Sequence, residues 1–429
     1  MSDISICLIA TSSVILHDMN SALPHFVGID IGTTAVRCVI GLLDENASSP
    51  SIIGYGSAKN NGMRKGVISH IEDVADAIIQ AVSEAEKISG MRVDSATVNI
   101  NGPHVEGVNS KGVIAISTAN REITVEDRER AEEAATIIQL PPNRDIIQVF
   151  AKSYRLDGQE SIKDPVGMQG VRLEVDTHII TVSTPAIRNL DTSLERAEIR
   201  PSHHTTSSLA AAEAVLNRQQ KESGTVLLDI GAGTTSIVVM EDGEVQHVAV
   251  IPIGGINMTN DLAIGLRTDL DIAEAVKLQF GSLSSQKTHK IIKVKHDGQE
   301  HEFDLADIQM IISARAEELF EYVDKELKKI QKSRKLPGGI VMVGGVSKLP
   351  GIAEFAKHEL ELPARIGKLL PVGGISDVIG NGYFTTAIGL MWLDMLLGQH
   401  SDSHPTGVKS FGDIKFSAKN IIKRLGRKQ

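Results

Sequence analysis

HFVGIDIGTTAVRCVIG, residues 25–41, and TVLLDIGAGTTSIVVM, residues 225–240, carry the reading of this chain. Each runs an apolar segment into Asp-Ile-Gly, turns at a Thr-Thr pair and leaves along a second apolar segment. The motif therefore occurs twice, with Asp30 and Asp229 standing 199 positions apart. After the second copy, Asp242-Gly243 is a two-residue hairpin signal leading into the alternating stretch 244–251. Each copy thus opens an antiparallel meander.

A lone Asp-Ile-Gly-Thr-Thr can be a turn whose Asp and Thr satisfy their own backbone. Two copies, with a third glycine turn in GGIVMVGGVSKLPGIAEFAKHEL (338–360), point to a phosphate cradle. Glycine lets backbone N–H groups approach an anion without a clashing Cβ, and threonine hydroxyls add donors. Asp30 and Asp229, each ending a strand, are placed to hold a hydrated Mg²⁺, which prefers oxygen ligands. No G-x-x-x-x-G-K-[ST] is present, and a strand follows GAGTT where a dinucleotide-binding fingerprint would open a helix.

The whole chain sets bounds around this core. Its 429 residues, 41% hydrophobic and 23% charged, fit two or three globular units. A net charge of −10 and 3% aromatics argue against nucleic acid as a partner. Cys7 and Cys38 form no metal or disulfide pattern, which suits a reducing compartment. Residues 1–26 read as a disordered extension or a misassigned start, with Met19 as the alternative initiator, and no window is apolar enough to cross a bilayer.

Helical spacing marks 71–89, 125–139, 258–266, 271–280, 307–331 and 384–397, the last stopping at Gly398. Residues 291–303 read as a hairpin. In 105–177 a strand pair precedes the helix at 125–139, which Pro141-Pro142 closes, and β-rich segments follow at 146–156 and 171–182.

These motifs resemble those of the actin, heat-shock chaperone and sugar kinase superfamily. The resemblance implies an α/β, actin-like (ribonuclease H-like) two-lobed ATPase fold with ATP and Mg²⁺ between the lobes. Gly32, Thr33, Thr34, Gly231, Gly233, Thr234 and Thr235 would lie on the phosphates, with Gly254 and Gly255 of IPIGG near the terminal one. Gly344, Gly345 and Ser347 would lie against the adenosine, and Glu274 and Lys277 of AEAVKLQFG would reach the nucleoside; their plain alternative is a solvated i,i+3 ion pair.

Three segments narrow the resemblance to the FtsA family of bacterial cell division. NGMRKGVISHIEDV (61–74) is similar to the loop entering its first helix, and SIKDPVGMQGVRLEV (161–175) to a strand pair of its inserted α/β subdomain. The third is the tail, a C-terminal amphipathic helix. On a helical wheel Ile414, Ala418, Ile421, Ile422 and Leu425 share a face, with Lys419, Lys423, Arg424, Arg427 and Lys428 around the rest. From Lys409 onward seven Lys or Arg face the lone Asp413, a local charge of +6. Such a helix suits an anionic membrane surface, each cation contributing about 1 kcal/mol there, with Phe411 in a hinge or insertion wedge before it.

The divisions expected are 27–104 and 178–200 for the first lobe, 105–177 for the insert, 201–257 for the second lobe and 258–335 for its small subdomain. Residues 336–397 complete the cores, 398–410 form a linker and 411–429 the membrane helix. The family resemblance implies self-assembly into filaments, tethering of the tubulin-like GTPase FtsZ, and contacts with later division proteins. It also implies a peripheral position on the cytoplasmic face of the membrane at the division site. The runners-up are another actin-like scaffold, similar to PilM or MreB, and a small-molecule kinase. Where chaperones and conventional actins carry a water-positioning Glu or Gln, this chain reads HHTTSS (203–208), with Ser207 at that point. No catalytic residue is evident, and the expectation is at most a weak ATPase. His203-His204 lacks a spaced third ligand and reads as surface or packing.

Overall fold

The computed structural model describes residues 25–43, 50–117, 120–284, 289–375 and 382–398. The linker beyond Gly398 and the tail residues from Phe411 to Arg427 expected at the membrane lie outside the described residues, as does Cys7.

The two Asp-Ile-Gly motifs form hairpins of the same build. His25–Ile31 pairs antiparallel with Ala35–Leu42, and Thr225–Ile230 with Thr235–Glu241. At the first turn the Gly32 amide donates to the Ala35 carbonyl at 3.0 Å; at the second, Gly231 donates to Thr234 at 2.9 Å. A Cβ on Gly32 would stand 2.9 Å from that carbonyl oxygen, which is why glycine holds the position.

The duplication extends beyond the hairpins. In the first half Ser51–Lys59 adds antiparallel, helix Ile71–Ser89 crosses over, and Ser95–Asn99 then Arg200–Thr205 add parallel on the far side. In the second half Glu244–Ile251 adds antiparallel. Helices Gly255–Leu266, Leu270–Phe280 and Leu305–Lys329 follow, before Gly339–Val343 and Ala364–Ile366 add parallel. Both sheets therefore run third, second, first, fourth, fifth.

Alternation along the strands of the second sheet feeds two cores. Leu227, Val238 and Val341 join the core around Ile29, Val39 and Ile78, while Leu228, Ile237 and Met342 join that around Leu262, Ile312 and Phe320. Helix Thr385–Gly398 ties the halves together, lying against strand His25–Ile31 on one side and helix Ser207–Val215 on the other. Glycines admit it: a Cβ on Gly28 would come 2.2 Å from the Ala387 carbonyl oxygen, and one on Gly389 would come 1.8 Å from that of Ala210. Asp394 fixes its rotation by accepting from the Val27 amide at 3.0 Å and the Thr97 hydroxyl at 2.8 Å.

The insert extends the second sheet past Glu244–Ile251 with strands in the order Glu106–Ala115, Arg172–Ser183, Arg144–Leu156, Gln159–Ile162. Helix Val125–Ala135 packs on it over Ala131, Tyr154 and Leu173. Two local expectations are corrected. A single strand, not a strand pair, precedes the helix, because Glu106–Ala115 finds its partner in the distant Arg172–Ser183. The helix also ends well before Pro141, where the Thr136 hydroxyl turns back on the Glu133 carbonyl at 2.8 Å and the β-branched run Thr136-Ile137-Ile138 begins. Its start carries the capping box Thr124/Asp127.

Where the insert meets the second half, Ala249 pairs with Glu106 and a buried imidazole crosses the junction. Nε2 of His178 accepts the Val248 amide at 3.0 Å, so Nδ1 carries the proton and donates to Asn109 Oδ1 at 2.9 Å. Burial, with His247 and Lys152 nearby, pushes His178 down to about 3.

The close approach at Gly389 is directly testable. Gly389→Ala is expected to lower stability by about 3 kcal/mol through overpacking, while Gly345→Ala, whose Cβ would meet nothing within 4 Å, leaves it unchanged. Thermal midpoints of the two variants check this.

Candidate nucleotide-binding cleft

The two hairpin turns face each other across a cavity of about 600 Å³ between the halves. Asp30, Gly32, Thr33 and Thr34 line it from one hairpin, and Asp229, Gly231 and Thr234 from the other. Gly255, Glu274, Lys277, Gly344 and Gly345 complete the set of expected residues on the wall. Gly344 has a real demand for glycine: its φ is 86°, and a Cβ would stand 2.5 Å from the Ile230 carbonyl oxygen and 2.7 Å from Asp229 Oδ1.

Four expected residues do not line the cavity. The Thr235 hydroxyl donates to the Ile253 carbonyl at 2.8 Å, and that of Ser347 to the Gly344 carbonyl at 2.8 Å, so both are spent on holding the turns. Gly254 lies beneath the Gly231 and Ala232 carbonyls, 2.6 and 2.7 Å from where its Cβ would be. Gly233 abuts the opposite hairpin, with Thr33 Oγ1 2.7 Å from its would-be Cβ. Each shapes the wall from behind.

Lys277 and Glu274 are an ion pair on the cavity wall, 2.6 Å apart. The Lys277 ammonium also donates to Thr259 Oγ1 at 2.8 Å and to the Gly255 carbonyl at 3.1 Å, so the pair is pinned between two helices. It is not a freely solvated pair.

Several lining residues escaped the sequence reading. Arg37 was legible in principle, because the hairpin register sets it directly opposite Asp30, 3.7 Å from the carboxylate. The corresponding partner of Asp229 is Ser236. Tyr383, ahead of the helix that joins the halves, has the Lys348 ammonium 3.0 Å above its ring and the Arg37 guanidinium 5.8 Å away. No local pattern announces that arrangement.

The floor is a polar network. Ser207 donates to Asn101 Oδ1 at 2.8 Å and lies 3.1 Å from the Ser236 hydroxyl, and Thr386 donates to Asp229 at 3.2 Å. Asp30 accepts from Asn99 at 2.7 Å. His203 and His204 lie outside the cavity, His204 pairing with Asp191 at 2.8 Å.

The carboxylates are electrostatically frustrated. Burial pushes Asp30 up to about 6; the Arg37 guanidinium opposes this and the Asp229 carboxylate adds to it. Asp229 is likewise raised by burial, against hydrogen bonds from Ser207 and Thr386. Two buried acids that feel each other want a cation between them. Among the described residues no group of three or more His, Cys, Asp or Glu could hold a metal ion. A metal here would take most of its oxygens from water and ligand, as Mg²⁺ on phosphates does.

The comparisons with known proteins agree with this architecture. A family model for the cell division protein FtsA matches residues 226–389, and one for the SHS2 domain inserted in FtsA matches residues 102–181. The chain is 37% identical over 368 residues to the cell division protein FtsA of Neisseria meningitidis, covering 85% of this chain and 88% of that one. The chain belongs to the FtsA family. The FtsA of Pseudomonas aeruginosa is 34% identical over 369 residues, again 85% and 88% of the two chains, and that of Bacillus subtilis 35% over 370, 85% and 82%. Among solved structures, a PilM–PilN type IV pilus biogenesis complex matches with a TM-score of 0.60 at 18% identity over 86% of this chain and 98% of that one. MreB5 of Spiroplasma citri bound to ADP matches with 0.52 at 14% over 89% and 99%. These likenesses show the actin-like fold, and the match of residues 102–181 to the SHS2 domain inserted in FtsA accords with the family.

The raised Asp30 makes a pH-dependent prediction for the ligand-free chain. Its folded pKa lies above the ordinary 3.8, so its contribution is fully present below that value and lost as pH rises through about 6. Asp30→Asn is therefore expected to stabilise the nucleotide-free protein by about 2–3 kcal/mol at pH 7.5, and by roughly half as much at pH 5. Thermal midpoints at the two pH values check it.

Proposed function

We propose that this chain binds Mg²⁺-ATP in the cleft, assembles into actin-like filaments and tethers FtsZ to the inner face of the cytoplasmic membrane. The observation that carries this reading is the pair of matched hairpins, one from each half, bringing Asp30 and Asp229 to a single cavity. Gly32, Thr33, Thr34, Gly231 and Thr234 would hold the phosphates, and Glu274, Lys277, Gly344 and Gly345 the nucleoside. Mg²⁺, when bound, would neutralise the two carboxylates and the phosphates together. The solved relative MreB5 with ADP supports a nucleotide here, and a MamK double helical filament of the same fold supports self-assembly.

FtsZ would dock on the subdomain 258–335. Its helices expose apolar side chains suited to a short peptide, Ile264 at 78% and Met310 at 61%. The insert would contact later division proteins. The basic amphipathic tail, 411–429, would place the filament on anionic lipid, many weak tails acting together. The PilM and MreB likenesses rest on fold alone, and among the described residues the only cleft carboxylate besides the two aspartates, Glu274, is paired with Lys277.

With Ser207 where a water-activating acid would stand, turnover should be slow. Ser207→Glu is expected to raise phosphate release by about tenfold or more; unchanged release in a variant that still binds ATP would show that the missing acid is not what limits hydrolysis. Co-sedimentation with anionic liposomes and FtsZ tests the tether. The full chain should carry FtsZ into the pellet with ATP, and a chain ending at residue 410 should leave it in the supernatant. Equal pelleting by both would remove the tethering role.

A further inference from the structure

A second polar crevice, of about 470 Å³, opens between the insert and the hairpin turn at 241–246. It shares no lining residue with the cleft. Lys111, Lys152 and Lys163 line it from the insert together with Asp176, Ser153 and Ser161, and Glu241 and Asp242 line it from the second half.

The charges are unevenly satisfied. Lys111 pairs with Asp176 at 3.3 Å, and Glu241 pairs with Lys332. Lys163 donates to the backbone carbonyl of Asp242 at 3.1 Å. Lys152 is half-buried and makes no hydrogen bond or ion pair among the described residues. Burial pushes its ammonium down, against the pull of Asp176 and Glu241. A desolvated ammonium without a direct partner gains from an incoming oxyanion.

Backbone strain marks the same wall. Ser161 sits at φ 62°, a conformation that favours glycine, within the edge strand Gln159–Ile162 and beyond the Asp157-Gly158 turn. A bare anion would fill little of this volume and would meet the carboxylates of Glu241 and Asp242, with the Lys111-paired Asp176 beside them. A ligand with hydroxyl groups would turn those carboxylates into acceptors.

We propose that this crevice binds a small phosphorylated metabolite bearing hydroxyls, its phosphate on Lys152 and Lys163 with the Ser153 and Ser161 hydroxyls, and its own hydroxyls on Glu241 and Asp242. Such a ligand bridges the insert and the second half, adding to the Ala249–Glu106, His178 and Lys163–Asp242 contacts, and so braces the surface offered to partners.

The test uses the full chain with Mg²⁺-ATP saturating the cleft and ribose 5-phosphate as the probe in isothermal titration calorimetry. One site per chain is expected. Lys152→Met and Lys163→Met should each weaken it about tenfold, Lys152→Arg should retain it, and ribose or inorganic phosphate alone should bind more weakly. Equal affinity in Lys152→Met, equal affinity for inorganic phosphate, or no saturable heat at millimolar probe would overturn the proposal. Protection of Lys152 from acetylation by the probe, mapped by mass spectrometry on the unsubstituted chain, gives a readout that does not depend on a variant folding. Undiminished acetylation with the probe at saturation would equally overturn it.

Discussion

Two carboxylates buried within reach of one another are the constraint on which the rest of this molecule turns. Asp30 and Asp229 end strands that belong to different sheets, and one guanidinium serves both: Arg37 pairs with Asp30 at 3.7 Å and acts on Asp229 from further off. Two ionised carboxylates against a single guanidinium leave an excess negative charge, which favours a further cation between them. The surrounding donors from Asn99, Ser207 and Thr386 orient the oxygens but do not cancel the charge. On the proposed reading, a cation and the phosphates it accompanies would stabilise the arrangement in which the two hairpins face each other, and occupancy of the cleft would bear on the relation between the lobes.

The duplicated architecture explains why so much of this was readable from residues alone. Asp-Ile-Gly followed by Thr-Thr is a local device, in which the glycine amide closes the turn within three residues, so the motif writes its own geometry. The strand order that follows repeats because each half has the same succession of three antiparallel strands, a crossover and two parallel strands. The glycine turn at Gly344 was legible for a related reason, because a positive φ and a close backbone approach leave glycine as the natural occupant.

What stayed hidden depends on pairing at a distance. Glu106–Ala115 looks like half of a local strand pair, yet its partner starts at Arg172, and nothing within its own sequence says so. Thr235 and Ser347 carry the hydroxyls one would choose for a ligand, but the nearest unsatisfied carbonyls belong to the protein and take them first. Tyr383 enters the cleft from a connection with no periodic signal, brought there by the helix that follows it. Arg37 is the instructive case between the extremes: counting across the hairpin from Asp30 would have found it.

The imidazole at the root of the insert has one further consequence. As a single fixed tautomer that accepts from Val248 and donates to Asn109, His178 does its work only while uncharged, and burial keeps it so down to about pH 3. A residue type that elsewhere senses the drift between about pH 5 and 8 is here made deaf to it. This link between the insert and strand Glu244–Ile251 is thereby insulated from changes of acidity across that range.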